Sequence, residues 1–200
     1  MHPSSQPLLI VISGPSGAGK DSVIKALQAR GLPIHFVVTA TTRAKRSNEV
    51  EGVDYFFVTR QRFEEMIAQD ELIEYAMVYG EYKGVPRRQV VEALASGKDV
   101  VLRVDVQGAL ALRKQFPQAV LIFLSAEDLD ETAQRLESRS TEEEEELRRR
   151  LDTAKWELEH LWEFDYWVVN RRGQLDQTVD TIIAIIQAEH HRICRQRSLP

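Results

Sequence analysis

Cysteine is nearly absent from this chain: Cys194 is the one thiol in 200 residues. A single cysteine excludes an internal disulfide, so packing must hold the fold, and a reducing compartment suits it. No apolar run approaches the roughly 20 residues that a membrane-spanning helix needs. An excess of positive charge is missing too. Lys and Arg number 26 against 31 Asp and Glu, a net charge of −5. That argues against a broad nucleic-acid surface and leaves any basic cluster to serve a local anion. The five histidines show no metal-ligand spacing, and His190 and His191 point to different helix faces. No segment repeats, and nothing reads as a linker. The stretch ahead of Leu8 is too short for a signal peptide. The expectation is one cytoplasmic domain (organellar if a transit peptide preceded it), with no membrane or nucleic-acid partner, monomeric or weakly homo-oligomeric.

What is present supports a well-buried core. At 43% hydrophobic and 28% charged residues, the composition is ordinary for a globular chain. A domain of this size buries about 70% of its unfolded surface. Apolar runs at Leu8–Ile12, Phe36–Thr39, Tyr55–Val58, Val100–Val104, Val120–Leu124 and Tyr166–Val169 read as strands. Helical spacing marks Asp21–Arg30, Arg60–Ala68, Arg87–Ser96, Ala109–Gln115, Glu127–Ser138, Thr141–Trp162 and Leu175–Arg192. Continuous apolar strands alternating with helices predict an α/β fold, a parallel sheet with helices on both faces. Ligands then gather at the carboxyl ends of the strands. Leu175, Val179, Ile182, Ile183 and Ile186 form a core-facing stripe on the last helix. Trp156, Trp162 and Trp167 are expected in the core.

The chemistry announces itself early. Gly14-Pro15-Ser16-Gly17-Ala18-Gly19-Lys20 follows the first strand and opens a helix. Strand, glycine-rich loop, terminal lysine and helix together make a P-loop for a nucleoside triphosphate. Backbone N–H groups and the helix N-terminus face the phosphates, and Lys20 adds a point charge. Where the motif has Ser or Thr after the lysine, this chain has Asp21, then Ser22. Either the carboxylate reaches Mg²⁺ through water, or the Ser22 hydroxyl serves the metal or a phosphate. The hydroxyl is the expected direct ligand, with Asp21 or Asp105 assisting through water.

Two further segments stand out. Residues 41–54 are polar and hold Arg43, Lys45 and Arg46, as an excursion from the sheet would. Farther on, Thr141 and Glu144 make a capping box, and Glu144, Glu145 and Glu146 pair at i,i+4 with Arg148, Arg149 and Arg150. The acidic run reads as a solvated helix face. With Arg135 and Arg139 just upstream, the arginines also suit a mobile segment that neutralises a transferring phosphoryl group.

These motifs, with the blocks Thr39–Arg46, Glu49–Phe57, Glu74-Tyr75, Tyr79–Gly84 and Val100–Gly108, closely resemble guanylate kinase in order and spacing over residues 8–188. The Tyr79–Gly84 variant and the Lys20-Asp21-Ser22 ending look like the photosynthetic-bacterial and organelle-type branch. The resemblance implies a P-loop NTPase-type core with the P-loop at 14–21, a GMP-binding insertion near 38–88 and a mobile lid near 130–160. It implies transfer of the γ-phosphoryl of ATP, with Mg²⁺, to GMP and dGMP. Arg43 and Arg46 match the arginines that bind the GMP phosphate, and Tyr55 the tyrosine that donates to it. Glu74 matches the glutamate that accepts from guanine N1–H and the 2-amino group. Thr39 keeps the hydroxyl of a base-contacting serine, and Val85 lacks one. Lys83 replaces a phosphate-binding tyrosine, and Tyr82 beside it suits packing. Asp105 matches a guanine-contacting or metal-side carboxylate. Arg103 replaces an acidic residue and reads either as an ion-pair partner of Asp105 or as a catalytic cation. Asn170 matches a residue near the adenine, and Arg135, Arg139 and Arg150 match the arginines of the lid. Lys20, Arg43 and the lid arginines then carry the catalysis.

Other readings fit parts of the pattern. A kinase of phosphorylated ribose sugars shares the fold and the Lys-Asp-Ser ending, whereas Glu74 and Thr41–Arg43 favour GMP. A non-catalytic guanylate-kinase-like binding module typically loses the P-loop glycines and lysine, which this chain keeps. A regulatory GTPase would need an N-K-x-D guanine-reading motif, which is absent.

Overall fold

The computed structural model describes residues 6–78, 80–127, 152, 153 and 155–192. In chain order the elements are β1 (Leu9–Ser13), α1 (Lys20–Ala29), β2 (Ile34–Phe36), β3 (Ala40–Thr41), β4 (Phe56–Phe57) and α2 (Arg60–Ala68). There follow β5 (Leu72–Val78), β6 (Glu81–Pro86), α3 (Arg87–Ala95), β7 (Asp99–Arg103), α4 (Val106–Gln115) and β8 (Val120–Ser125). After a 3₁₀ turn at Leu161–Glu163 come β9 (Tyr166–Val169) and α5 (Leu175–His190).

Five strands form a parallel sheet in the order β2-β7-β1-β8-β9. Every residue of β1 is buried, and alternate side chains leave it on opposite faces. Ile10 and Ile12 pack with Val23 and Leu27 of α1 and with Val179, Ile182 and Ile186 of α5. Leu9 and Val11 pack with Val90 and Ala93 of α3 and with Ala109 and Leu112 of α4. Each such Leu, Ile or Val side chain contributes about 1.5–3 kcal/mol by leaving water. The apolar runs are continuous because both faces are covered.

The other four strands form a second sheet, β4-β3-β6-β5. It is antiparallel across β3–β6 and β5–β6 and has its own small core of Ala40, Phe63, Met66 and Leu72. The hairpin β5–β6 has no counterpart among the expected strands. Glu74, Glu81 and Lys83 interrupt its apolar pattern, because one of its faces looks onto a cavity rather than a core. Phe36–Thr39 is not one strand either. The chain leaves the first sheet after Phe36 and enters the second at Ala40. Between them Val38 finds a substitute ladder: its N–H donates to Gln89 Oε1 at 3.1 Å and its carbonyl accepts from Gln89 Nε2 at 2.9 Å. Helix α4 starts at Val106, earlier than its apolar spacing implied, because the Asp105 side chain accepts from Gly108 N–H and caps it.

The tryptophans are not core residues. Trp162 is 87% exposed and Trp167 57%, while Trp156 rests on the His160 ring at the surface. Trp167 lies on the edge strand β9, on the face opposite buried Val168, and its indole N–H donates to Ser125 Oγ at 2.9 Å. All but the first residue of the helix expected at Glu127–Ser138, most of that at Thr141–Trp162, the lid arginines Arg135, Arg139 and Arg150, and Cys194 lie outside the described residues. Of the expected lid, residues 152, 153 and 155–159 are helical.

Candidate active site

The loop after β1 is fixed from two sides. Gly14 adopts φ 135°, and a Cβ there would sit 1.9 Å from the Leu124 carbonyl oxygen of β8, so only glycine lets the loop lie against the sheet. From the other side, Asn170 at the end of β9 donates through Nδ2 to the Ala18 carbonyl at 2.9 Å and accepts from the Thr178 hydroxyl at 3.3 Å. Asn170 is buried and braces the loop. The Lys20 ammonium donates to the Gly14 carbonyl and, at 2.9 Å, to the Pro15 carbonyl. Burial pulls its pKa down, and the negative charges of Glu157, Asp21 and Asp105 oppose that shift. A phosphate entering the loop would replace these carbonyls as the ammonium's partner.

At the carboxyl ends of the central strands lies a cavity of about 380 Å³. Pro15, Ser16, Gly17, Gly19, Lys20 and Asp21 line one side of it. Thr39, Arg43, Arg46, Tyr55, Glu74, Lys83 and Asp105 line the other. Most of the residues singled out in the sequence thus converge on one space, although Glu74 and Lys83 come from the second sheet, Arg43, Arg46 and Tyr55 from the chain between β3 and β4, and Asp105 from just past the end of β7. Gly14, Ala18, Asn170 and Ser22 are not on its wall. Ser22, expected to offer its hydroxyl to the metal, is exposed on α1 and off the cavity wall, whereas Asp21 is on it.

The second side divides by charge. Arg43 donates to Glu49 Oε1 at 2.6 Å and lies over the Tyr55 ring, its guanidinium carbon 5.4 Å from the centroid. Glu49 also accepts from Arg46 N–H at 2.8 Å, which closes the turn that carries both arginines. Lys83 reaches the cavity from β6, where burial and then the nearby charge of Lys20 bring its pKa down to about 8. Tyr82, one residue before, faces away and stacks on Phe63 at 5.0 Å, so it packs. Glu74 stands on β5 beside the α4 N-terminus. A Cβ on Gly108 would lie 2.7 Å from Glu74 Oε1, so glycine makes room for the carboxylate there. Burial, with a smaller contribution from the Asp105 charge, pushes the Glu74 pKa up to about 8.

Two participants escaped the sequence reading. For Arg103 one of the two expectations was an ion pair with Asp105. Its guanidinium donates instead to Asp21 Oδ1 at 2.6 Å and to the Asp54 carbonyl at 3.0 Å, and it lies over Tyr55. Asp105 is already engaged in capping α4, which leaves the guanidinium to Asp21. Glu157 is 6% exposed and reaches the cavity from the helical segment at 155–159. Its Oε2 has no hydrogen-bond partner, and burial pushes its pKa up to about 7 against the pull of Lys20. Thr153 lines the same wall. The i,i+4 spacing of Thr153 and Glu157 on one helix face was the available signal, and an acidic residue in a charged helix gave no reason to choose it.

Comparison with known proteins agrees with this geometry. A family model described as guanylate kinase matches residues 6–189. A guanylate kinase 2, chloroplastic/mitochondrial, of Oryza sativa subsp. japonica is 50% identical, over 96% of this chain and 68% of its own length. A guanylate kinase of Halalkalibacterium halodurans is 45% identical, over 96% of this chain and 92% of its own. Among solved structures, the guanylate kinase of Anaplasma phagocytophilum superposes with a TM-score of 0.77 at 31% identity, covering 96% of this chain and 90% of that one. With the P-loop, the second sheet and the family match in agreement over nearly the whole length, the chain belongs to the guanylate kinase family.

Proposed function

We propose that the one cavity holds both substrates of the guanylate kinase reaction, ATP against the P-loop and GMP against the second sheet. The reaction moves the γ-phosphoryl group of ATP to the phosphate of GMP. The observation that carries the assignment is the polarity of the cavity. Lys20 and the loop N–H groups stand on one side, Arg43, Arg46, Tyr55 and Lys83 on the other, and the buried carboxylate of Glu74 lies beyond them.

In this reading Arg43 and Arg46 grip the acceptor phosphate with guanidinium forks, and Tyr55 donates its hydroxyl to it. Glu74, once ionised, accepts from guanine N1–H and the 2-amino group. Adenine has neither donor there, and a desolvated carboxylate left unpaired rejects AMP. The proposed contacts fall on base and phosphate, so dGMP is a second acceptor. The acceptor phosphate is already anionic, so no side chain has to act as a general base. Lys20 follows the charge that builds on the transferring group, and Arg135, Arg139 and Arg150 of the lid near 130–160 complete that neutralisation.

The donor set fits Mg²⁺ in the way this metal is usually held, by phosphates and water with one or two carboxylates. Asp21 and Asp105 face the cavity, whereas no cluster of three or more potential ligands exists among the described residues. Asp21 and Asp105 would hold Mg²⁺ there, and it would supply positive charge against that of the phosphates.

Two rival readings meet specific obstacles. A ribose-phosphate acceptor would leave buried Glu74 without donors to receive, and a protein-binding module would have no use for Lys20 in an intact loop. A coupled assay of ATP against GMP, dGMP, AMP, UMP and ribose phosphates tests the assignment. Turnover confined to GMP and dGMP is expected, and equal turnover of AMP would remove Glu74 as the reader of the base.

A further inference from the structure

Asp21 and Arg103, two of the positions where the sequence departs in charge from the family pattern, meet in space. Asp21 is the second residue of α1, directly after the P-loop lysine. Arg103 ends β7. They form an ion pair at 2.6 Å, with the Arg103 side chain 13% exposed and that of Asp21 49%. The guanidinium does not stop there. Its Nη2 donates to the Asp54 carbonyl at 3.0 Å, and its carbon lies 4.5 Å from the centroid of the Tyr55 ring. Tyr55 therefore has two guanidinium groups near its ring, Arg103 and Arg43, the latter at 5.4 Å. One side chain ties the start of α1 to the segment that carries the acceptor-side tyrosine.

We propose that Arg103 is a positioning residue shared by both phosphate sites, neutralising Asp21 beside the donor phosphates while holding Tyr55 and adding positive charge at the acceptor phosphate. The proposal rests on the assignment of the Tyr55 side to GMP. A carboxylate at the first turn of α1 opposes an incoming triphosphate, because it offsets the positive helix N-terminus that the loop presents. The pairing with Arg103 cancels that charge. The same guanidinium is too polar and too well paired to be filler, and its place on the Tyr55 ring fixes where the phenol hydroxyl points.

The two duties can be separated because they depend on Asp21 differently. Arg103→Gln takes the Arg103 ion pair away from Asp21 and also strips a charge from the acceptor side. It should weaken GMP about tenfold and ADP several-fold in separate calorimetric titrations without metal. Adding Asp21→Asn removes the carboxylate's charge, so the double variant should regain ADP affinity to within about twofold of the parent while GMP stays weak. Arg103→Lys keeps the charge and should lose no more than about threefold for GMP, with the thermal midpoint recorded for every variant. The proposal is overturned if the double variant recovers GMP as well, for then Arg103 acts only through Asp21. It is equally overturned if Arg103→Lys is as weak as Arg103→Gln, or if Arg103→Gln leaves GMP unchanged. Arg43→Ala serves as the control on the underlying reading. If it too leaves GMP binding unchanged, the acceptor assignment itself has failed, whereas a loss there with Arg103→Gln intact removes Arg103 alone.

Discussion

In the proposed role Glu74 has to be ionised to accept two hydrogen bonds from guanine, yet burial pushes its pKa up to about 8. GMP binding should therefore expel a proton whenever the pH is below that value. The sign follows from the charge state. Burial raises the pKa of the free carboxyl, guanine favours the carboxylate, and affinity is present above about pH 8 and lost as the pH falls. At pH 7 about nine in ten molecules carry the proton, and removing it costs about 1.4 kcal/mol. Each further unit down costs a further factor of about ten.

Glu74→Gln keeps the volume and abolishes this titration, but it sets an amide donor against a guanine donor. At pH 8.5 it should cost on the order of 2–4 kcal/mol in kcat/KM for GMP. At pH 6 the parent enzyme has lost about two units of its own advantage, so the gap between the two proteins should close to below roughly 1.5 kcal/mol. The acceptor phosphate titrates near pH 6 in both proteins, so the ratio of their pH profiles isolates Glu74. The assay is coupled turnover from pH 6 to 9 with GMP and with AMP. The GMP-to-AMP preference should shrink at least roughly tenfold in the variant above pH 8. A ratio that does not vary with pH, together with an unchanged preference, would show that Glu74 does not read the base and that Thr39 or Asp105 does.

Lys83 provides the opposite limb. Its pKa is also brought down to about 8, but its charged form is the one that favours phosphate, so its contribution is present below that pH and lost above it; Lys83→Met should remove the alkaline fall in GMP affinity and leave the acid limb. Lys20→Met should abolish phosphoryl transfer in a folded protein, checked by turnover beside circular dichroism, since the loop holds no other lysine. Arg43→Ala should weaken GMP and slow turnover with little change in ATP affinity; titrations with the reverse pattern would exchange the two subsites. For the metal, Asp21→Ala should raise the Mg²⁺ requirement more than Ser22→Ala, because Asp21 faces the cavity and Ser22 is exposed; the opposite ranking in a Mg²⁺ titration would restore the hydroxyl.

The parallel core was legible because its physics is local. The first four residues of β1, Leu9 to Ile12, are apolar on both faces, since helices cover both, and the glycines that follow leave few conformations other than a phosphate loop. The second sheet was not legible in the same way. Hairpin β5–β6 carries Glu74 and Lys83 toward the cavity, and a register shift between Leu72 and Glu74 sends Leu72, two residues earlier, into a small core, so the alternation is broken there and is otherwise written in charged residues. Those residues were readable only as members of a motif, and Glu74 and Lys83 were recognised as site residues while the strands that hold them were missed. Here function was easier to see than structure, because selection for a ligand acts on residue identity and selection for a strand acts on pattern.

The Arg103 contact marks the limit of sequence reasoning for a different reason. Arg103 and Asp105 sit two apart at the end of a strand, which made them obvious partners along the chain. An Asp directly ahead of a helix, however, is drawn to that helix's unsatisfied N–H groups, and Asp105 accepts from Gly108 at 2.9 Å. Once that cap forms, Arg103 is left facing a carboxylate 82 positions away in sequence, brought beside it because β1 and β7 run parallel and adjacent. Had the cap been weighed before the ion pair, Arg103 would have been released from its neighbour on sequence grounds alone. Its true partner would still have required the strand order. Glu157 poses the same difficulty in a stronger form, since its burial depends on a helix packing over the cavity, and no property of an acidic residue in a charged segment foretells that it will be the one turned inward toward Lys20.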